Sequence, residues 1–204
     1  MSFLSQKPNL QKKWLEIFNS IIRLKFYTYL ENNQSELLSR LDSEFAAFVK
    51  THVGITQDDL RFFGGNTLMG LAYLTLIRMF ETLNSELDSD DVDRLFLSAN
   101  WEAIGLKSFS DLENRYNLRL NVLATSTAKG KKYYDNDLEK IHFFIRKIRN
   151  SVSHYRYDHP NNKSIRLIDK NQQNTIELDV VMPYANFMNF CADIGIVLND
   201  AIIK

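Results

Sequence analysis

Cysteine, glycine and proline are all scarce in this chain of 204 residues, which contains one Cys, seven Gly and three Pro. A single Cys excludes a disulfide framework within the chain and a zinc site built from several cysteines. Glycine stands at about half its usual share. Because turns need glycine and proline, a sandwich or barrel of many short strands is excluded, and the composition favours helices.

The chain also lacks a net charge of one sign, since 25 Lys and Arg balance 25 Asp and Glu. This balance excludes the uniformly basic surface that is typical of nucleic-acid coats. The charge is nevertheless uneven, because residues 129–156 hold eight Lys or Arg against three Asp or Glu, a net charge of +5, and the remainder carries −5. A basic patch on a neutral protein predicts one anionic partner bound at one place.

Signals for membranes and export are not found in the sequence. The first residues lack the basic-then-apolar order of a signal peptide. The apolar stretch that stands out, residues 68–80, is too short to span a bilayer. We therefore expect no membrane association and a cytoplasmic location.

Aromatic residues are plentiful, with 14 Phe, 9 Tyr and 2 Trp, enough to build a sizeable core. Apolar residues recur at three- and four-residue spacing along most of the chain, which predicts a mainly α fold. No linker divides the chain, so we expect a single domain over residues 1–204. The predicted helices cover residues 9–30, 35–54, 66–83, 92–105, 110–125, 136–157 and 183 onward, with a short helical piece after Thr56.

A different pattern precedes the last helix. Residues 164–169 and 175–180 are short runs with β-branched side chains, and a polar segment joins them. This pattern predicts a small β-hairpin before the C-terminal helix, which begins at Pro183.

The helix at residues 136–157 carries the basic patch. Ile141, Ile145, Ile148, Val152 and Tyr155 follow one another at steps of four and three, which predicts an apolar stripe that faces the core.

Three polar residues of the same helix, Arg149, Asn150 and His154, lie off that stripe on a polar and basic face. Asn150 and His154 lie one turn apart. Arg149 and His154 lie about 140° apart around an ideal helix. They therefore meet only if the arginine reaches round, the helix end distorts, or a second chain faces the first.

The string from Arg149 to His154 reads R-N-S-V-S-H and resembles the R-N-x-x-x-H signature of HEPN domains (higher eukaryotes and prokaryotes nucleotide-binding). Its place late on a long helix, before a closing helix, is similar as well. The resemblance implies a helical bundle that forms a homodimer, with two copies of the motif meeting in one cleft. It also implies a metal-independent endoribonuclease, acting as a toxin or antiphage-defence effector and held by an antitoxin or another defence partner.

On this resemblance, Arg149 and His154 would be the catalytic pair, with Asn150 supporting them. Cleavage would proceed by attack of the ribose 2′-hydroxyl and leave a 2′,3′-cyclic phosphate. Histidine suits proton transfer because its pKa lies near neutrality, and arginine fits phosphate oxygens. The residues expected to bind the RNA are Arg146, Lys147, Arg156 and Tyr157, helped by the basic segment 129–132. No cofactor or metal is expected, because Asp158 and His159 follow His154 by four and five residues, where the helix is ending, and no further ligand is evident.

Other interpretations remain open. A HEPN toxin group carries a tyrosine two residues after the histidine, where this chain has Arg156, so modification of Tyr155 or Tyr157 is undecided. Phe143 and Tyr157 flank the polar row and mark a possible dimer face. The main alternative function is a catalytically inactive HEPN dimer that binds a nucleotide, an RNA or a protein, and a purely structural helical adaptor is the third.

Overall fold

The structure, a computed structural model, describes residues 8–53, 65–127, 129–161 and 163–203. Helices dominate it, as the composition predicts. It also contains a π-helical segment, Tyr73–Arg78, and a 3₁₀ turn, Trp101–Ile104. The short helical piece predicted after Thr56 lies outside the described residues. The α-helices are α1 Pro8–Asn33, α2 Ser35–His52, α3 Gly65–Ala72, α4 Met79–Glu86, α5 Ser89–Ser98, α6 Phe109–Arg115, α7 Asp137–Ser153 and α8 Tyr184–Ile203.

Side-chain caps fix where the middle helices begin. The Asn136 side chain accepts a hydrogen bond from the Glu139 backbone N–H at 2.9 Å, so Asn136 caps α7. Ser108, whose backbone is extended, forms a capping box with Asp111 that starts α6 at Phe109, one residue before the predicted start at residue 110.

The predicted hairpin is present and belongs to a four-stranded antiparallel sheet of order β1-β4-β3-β2. Its strands are β1 Arg119–Leu123, β2 Tyr157–Asn161, β3 Ser164–Lys170 and β4 Ile176–Pro183. The β3–β4 turn is closed by the Asn171 side chain, which accepts from the backbone N–H groups of Gln173 and Thr175.

The two outer strands correct the sequence prediction. The helix expected over residues 110–125 ends at Arg115, and Asn117 then takes a left-handed conformation with φ 48° that turns the chain into β1. The helix expected to reach Tyr157 ends at Ser153, and Tyr157 begins β2. Strand β1 obtains its hydrogen-bond partners from the distant strand β4, which a local pattern does not reveal, whereas β2 pairs with the following strand β3.

Helix α8 forms much of the core and packs along α1. It is long and apolar enough to span a bilayer by length and composition, but 67% of its most apolar 18-residue stretch is buried within the fold, as in the core helix of a folded domain. Its buried Asp193 accepts hydrogen bonds from Lys25, Arg115 and Tyr116. Cys191 is fully buried in α8, and burial raises the pKa of its thiol, so a disulfide between chains is excluded.

Close packing of α1 and α8 predicts a position that does not tolerate an added methyl group. A Cβ atom on Gly195 would lie 2.6 Å from Cγ1 of Ile21, which is fully buried. We expect Gly195→Ala to lower the free energy of unfolding by about 1–3 kcal/mol, measured by urea denaturation. Gly70→Ala is the control, because its Cβ would meet no atom within 4 Å. Equal stability of the two variants would contradict this packing.

Candidate functional site

The C-terminal end of α7 is a tight, hydrogen-bonded turn. His154 caps the helix, and its backbone N–H donates to the carbonyl of Asn150 at 3.0 Å. The N–H of Tyr155 donates to the carbonyl of Val152 at 3.2 Å, and that of Arg156 donates to the carbonyl of Ser151 at 2.8 Å. This pair of bonds is the Schellman pattern, which reverses the chain into β2.

Tyr155 stands at the position of this turn that requires a left-handed backbone, with φ 53°. Its side chain is 76% exposed, whereas Ile141, Ile145 and Val152 of the predicted stripe are at most 3% exposed. The stripe is therefore confirmed along the helix, and the placement of Tyr155 on it is wrong. The reason is that α7 ends two residues before Tyr155, so helical periodicity no longer applies there.

Arg149 is a half-buried cation with few partners. Its Nη1 donates to the Asn150 side-chain oxygen at 3.4 Å, and its guanidinium carbon lies 6.0 Å from the centre of the Phe80 ring. Its Nε is buried without a hydrogen-bond partner, and no carboxylate pairs with it in the described part of the chain. Because an unpaired buried N–H is costly, this guanidinium is suited to bind an anion.

Asn150 and His154 lie at the two ends of the last helical turn of α7. Asn150 is half-buried and holds the Arg149 guanidinium through its side-chain oxygen. His154 is exposed, and its imidazole makes no hydrogen bond, ion pair or ring contact with the described residues. The structure thus joins Arg149 to Asn150 by a hydrogen bond, and it shows no hydrogen bond between Arg149 and His154 among the described residues.

Lys147 has a different position from the one expected. It is 8% exposed and lies between α7 and the sheet, where its Nζ donates to Asp169 at 3.0 Å and to Glu177. The expectation of a place on the polar face of α7 is wrong, because the sheet covers this part of the helix. Its position supports a role in stability and does not support one in RNA binding.

The pKa of Glu177 depends on its contact with Lys147. Burial alone would raise the pKa of Glu177, but hydrogen bonds from Lys147 and Tyr133, with the charge of Lys147, lower it. The hydrogen bond to Glu177, together with burial, raises the pKa of Tyr133 to about 12. Glu177 is therefore ionised and Tyr133 protonated at neutral pH, which matches their roles as acceptor and donor.

The remaining predicted RNA-binding residues differ in their exposure to solvent. Arg146 is exposed on α7. Arg156 is 39% exposed at its side chain and is held by Asp169 at 3.3 Å and by the Lys170 carbonyl at 3.0 Å. Tyr157 is half-buried, with its ring centre 6.5 Å from that of Tyr155. Phe143 is 3% exposed and stacks on Tyr133, so its assignment to a dimer face is wrong.

The basic patch of the sequence does not form one surface. Segment 129–132 lies between β1 and α7, next to the first turn of α7. His154 lies at the other end of this helix, about 25 Å away along 17 residues. No group of three or more His, Cys, Asp or Glu side chains that could hold a metal occurs among the residues that the structure describes.

The sequence profile of the family described as HEPN pEK499 p136 matches residues 19–202. The chain belongs to the HEPN pEK499 p136 family. The match covers α7, the sheet and nearly all of α8, so the motif from Arg149 to His154 lies well inside the HEPN domain. HEPN domains are often ribonucleases or bind nucleotides. No curated protein and no solved structure is significantly similar to the chain.

The sequence pattern predicts Tyr157 as a site residue, but it places Tyr155 on the core stripe and gives His159 no role beyond that of a metal ligand. The error at Tyr155 arises because the helix is expected to continue to Tyr157. The sequence contains no glycine that would have marked the left-handed turn at Tyr155.

Proposed function

We propose that this HEPN protein is a metal-independent endoribonuclease, active as a homodimer, with Arg149 and His154 as catalytic residues and Asn150 as their support. The observation that carries the proposal is the Arg149 guanidinium, which is half-buried without a carboxylate in the described part of the chain and stands five residues before an exposed imidazole. A phosphodiester would supply the anion that this guanidinium lacks.

The proposed reaction needs no group beyond these side chains. The 2′-hydroxyl of the ribose attacks the adjacent phosphorus, and a neutral imidazole of His154 takes its proton. The bond from phosphorus to the 5′ oxygen breaks, and a protonated imidazole gives its proton to that oxygen. The products are a 2′,3′-cyclic phosphate and a 5′-hydroxyl end.

Two imidazoles in different protonation states are needed for this reaction. One ring is not both deprotonated and protonated at once, so two copies of His154 from two subunits provide base and acid. Arg149 donates to the non-bridging phosphate oxygens and stabilises the charge that develops there. The Asn150 side-chain oxygen holds the guanidinium in place through the 3.4 Å contact.

Binding of the RNA backbone is assigned mainly to Arg146, which is exposed one turn before Asn150. Tyr157 lies beside the site, and Arg156 contributes its exposed part. Backbone contacts of this kind depend strongly on salt and carry little sequence information. We place this activity in the cytoplasm, in a toxin or antiphage-defence effector that an antitoxin or another defence partner holds in check.

A second candidate function is an inactive HEPN dimer that binds a nucleotide, an RNA or a protein. One observation favours it: Arg149 and His154 form no hydrogen bond with each other among the described residues, so a single subunit shows no assembled Arg–His pair. Active enzyme and inactive module therefore differ in whether a dimer brings the two residues together.

The test is incubation of the purified protein with total RNA in the presence of EDTA. We expect cleavage to persist in EDTA, with fragments that carry 2′,3′-cyclic phosphate and 5′-hydroxyl ends, and a dimer by light scattering. A requirement for magnesium would contradict the mechanism. Absence of cleavage with intact RNA binding would favour the inactive module, and a monomer that cleaves RNA would contradict the composite site.

A further inference from the structure

A row of aromatic rings starts beside His154 and follows the edge strand β2. Ring centres are separated by 6.5 Å from Tyr155 to Tyr157, by 6.0 Å from Tyr157 to His159, and by 5.7 Å from His159 to Tyr184. Tyr157 and His159 are two residues apart on β2 and therefore face the same side of the sheet. The exposed members are Tyr155 and His159, so the row is open at the end nearest His154.

The fold alone does not explain why a tyrosine occupies position 155. The left-handed position of a Schellman turn is usually glycine, and a residue with a Cβ is strained there by about 1 kcal/mol. This tyrosine nevertheless stands there with φ 53°, its side chain is 76% exposed, and its hydroxyl makes no hydrogen bond with the described residues. A strained, exposed aromatic residue next to a proposed catalytic residue indicates a role in binding.

Two adjoining cavities share the first two rings of the row. One, of about 240 Å³, is lined by Tyr155, Tyr157 and the Met69–Tyr73 side of the helical bundle, and the other, of about 360 Å³, by the same two rings and β3. The planes of the Tyr155 and Tyr157 rings are inclined by 37° to each other, so a base would stack on the face of one ring and not between the two.

We propose that Tyr155, Tyr157 and His159 form a stacking subsite for unpaired bases next to the cleaved phosphate. The assignment rests on the proposed nuclease function for its ligand and on the aromatic row for its position. Any base presents a π-face, so the subsite accepts different sequences. Bases inside a duplex are already stacked, so the subsite selects single-stranded RNA.

The binding test uses His154→Ala protein, which keeps the RNA probe intact, and fluorescence anisotropy of a labelled single-stranded RNA hexamer and of the same strand in a duplex. Tyr155→Gly should weaken single-strand binding by about 5- to 100-fold, since stacking on one aromatic ring has this magnitude. Tyr155→Phe keeps the π-face and should bind as tightly as tyrosine. Tyr29→Ala is the matched control, an exposed tyrosine stacked near Phe26 on α1.

A second readout separates binding from folding. Tyr155→Gly removes the strain of the turn, so its melting temperature should equal or exceed that of the parent while its RNA affinity falls. Unchanged single-strand affinity would overturn the proposal, as would an equal loss of duplex affinity. If the parent protein with His154 intact cleaves no RNA but Tyr155→Gly still weakens single-strand binding, the nuclease function fails and the stacking subsite stands.

Discussion

His154→Ala should lower the single-turnover rate constant of RNA cleavage by about 10²–10⁴-fold and leave the free energy of unfolding unchanged. The loss follows because the variant removes both the base and the acid of the proposed dimeric site. Stability should not change, since the imidazole is exposed and makes no hydrogen bond, ion pair or ring contact with the described residues. The rate constant is measured by RNA cleavage with the enzyme in excess over the RNA, and the free energy of unfolding by urea denaturation.

The control is His52→Ala, an exposed histidine on α2 whose ring lies 4.8 Å from that of Phe48. This variant should cleave RNA at the parent rate. Arg149→Lys offers a second comparison, because lysine keeps the charge and loses the planar fork, and it should reduce the rate by about 10²-fold or more. Full cleavage by the His154 variant would remove the basis of the nuclease proposal.

Lys147→Met should lower the free energy of unfolding by about 3–5 kcal/mol at neutral pH and leave the RNA affinity of the folded protein unchanged. Methionine is similar in length to lysine but leaves Asp169 and Glu177 buried without their shared cation. Arg156 retains its contact with Asp169, and Tyr133 retains its contact with Glu177, so the loss does not include these bonds.

The pH dependence of this loss has a defined direction. The pKa of Glu177 is lowered in the folded parent, so its ion pair adds stability above the unfolded pKa of about 4.3 and loses it as the pH falls through the folded value. In the variant, burial still raises the pKa of Glu177, but the hydrogen bond and charge of Lys147 that lower it are absent. The difference in stability between parent and variant should therefore be largest above about pH 5 and shrink toward pH 3.

The matched control for Lys147 is Lys132→Met, which removes an exposed lysine paired with Asp135 at 3.3 Å. Its effect on stability should be below about 1 kcal/mol, because surface ion pairs contribute little. Urea denaturation at several pH values and RNA binding by anisotropy distinguish the two positions. A Lys147 variant that is fully stable and binds RNA weakly would show that this lysine contacts substrate instead.

Much of the fold is predictable from periodic burial. The residues Ile141, Ile145 and Ile148 are fully buried, as their spacing predicts, because a helix packed on a core repeats its buried face every three to four residues. The β3–β4 hairpin follows from two short β-branched runs with a polar turn. The R-N-x-x-x-H string places the chain with HEPN domains, and the family match over residues 19–202 confirms that assignment.

The end of α7 was not predictable from the same pattern. Helical spacing continues formally to Tyr155, but the chain turns at His154 because β2 then pairs with β3. Strand β1 was missed for a different reason, since its partner is the distant strand β4, about 60 residues further along the chain. Hydrogen bonds to a distant strand outweigh weak local propensity, and no local window contains them.

The sequence by itself determined the helical class, the hairpin, the α7 stripe and the motif, because each depends on spacing within one segment. Only the tertiary structure decided which of the basic residues is exposed to solvent and which is buried in ion pairs. Lys147 and Arg146 are neighbouring basic residues that the sequence does not distinguish. Lys147 is buried beside Asp169 and Glu177, which lie 22 and 30 residues further along the chain, whereas Arg146 is exposed to solvent. The charge of a side chain is local, whereas its burial and its partners depend on how distant segments pack.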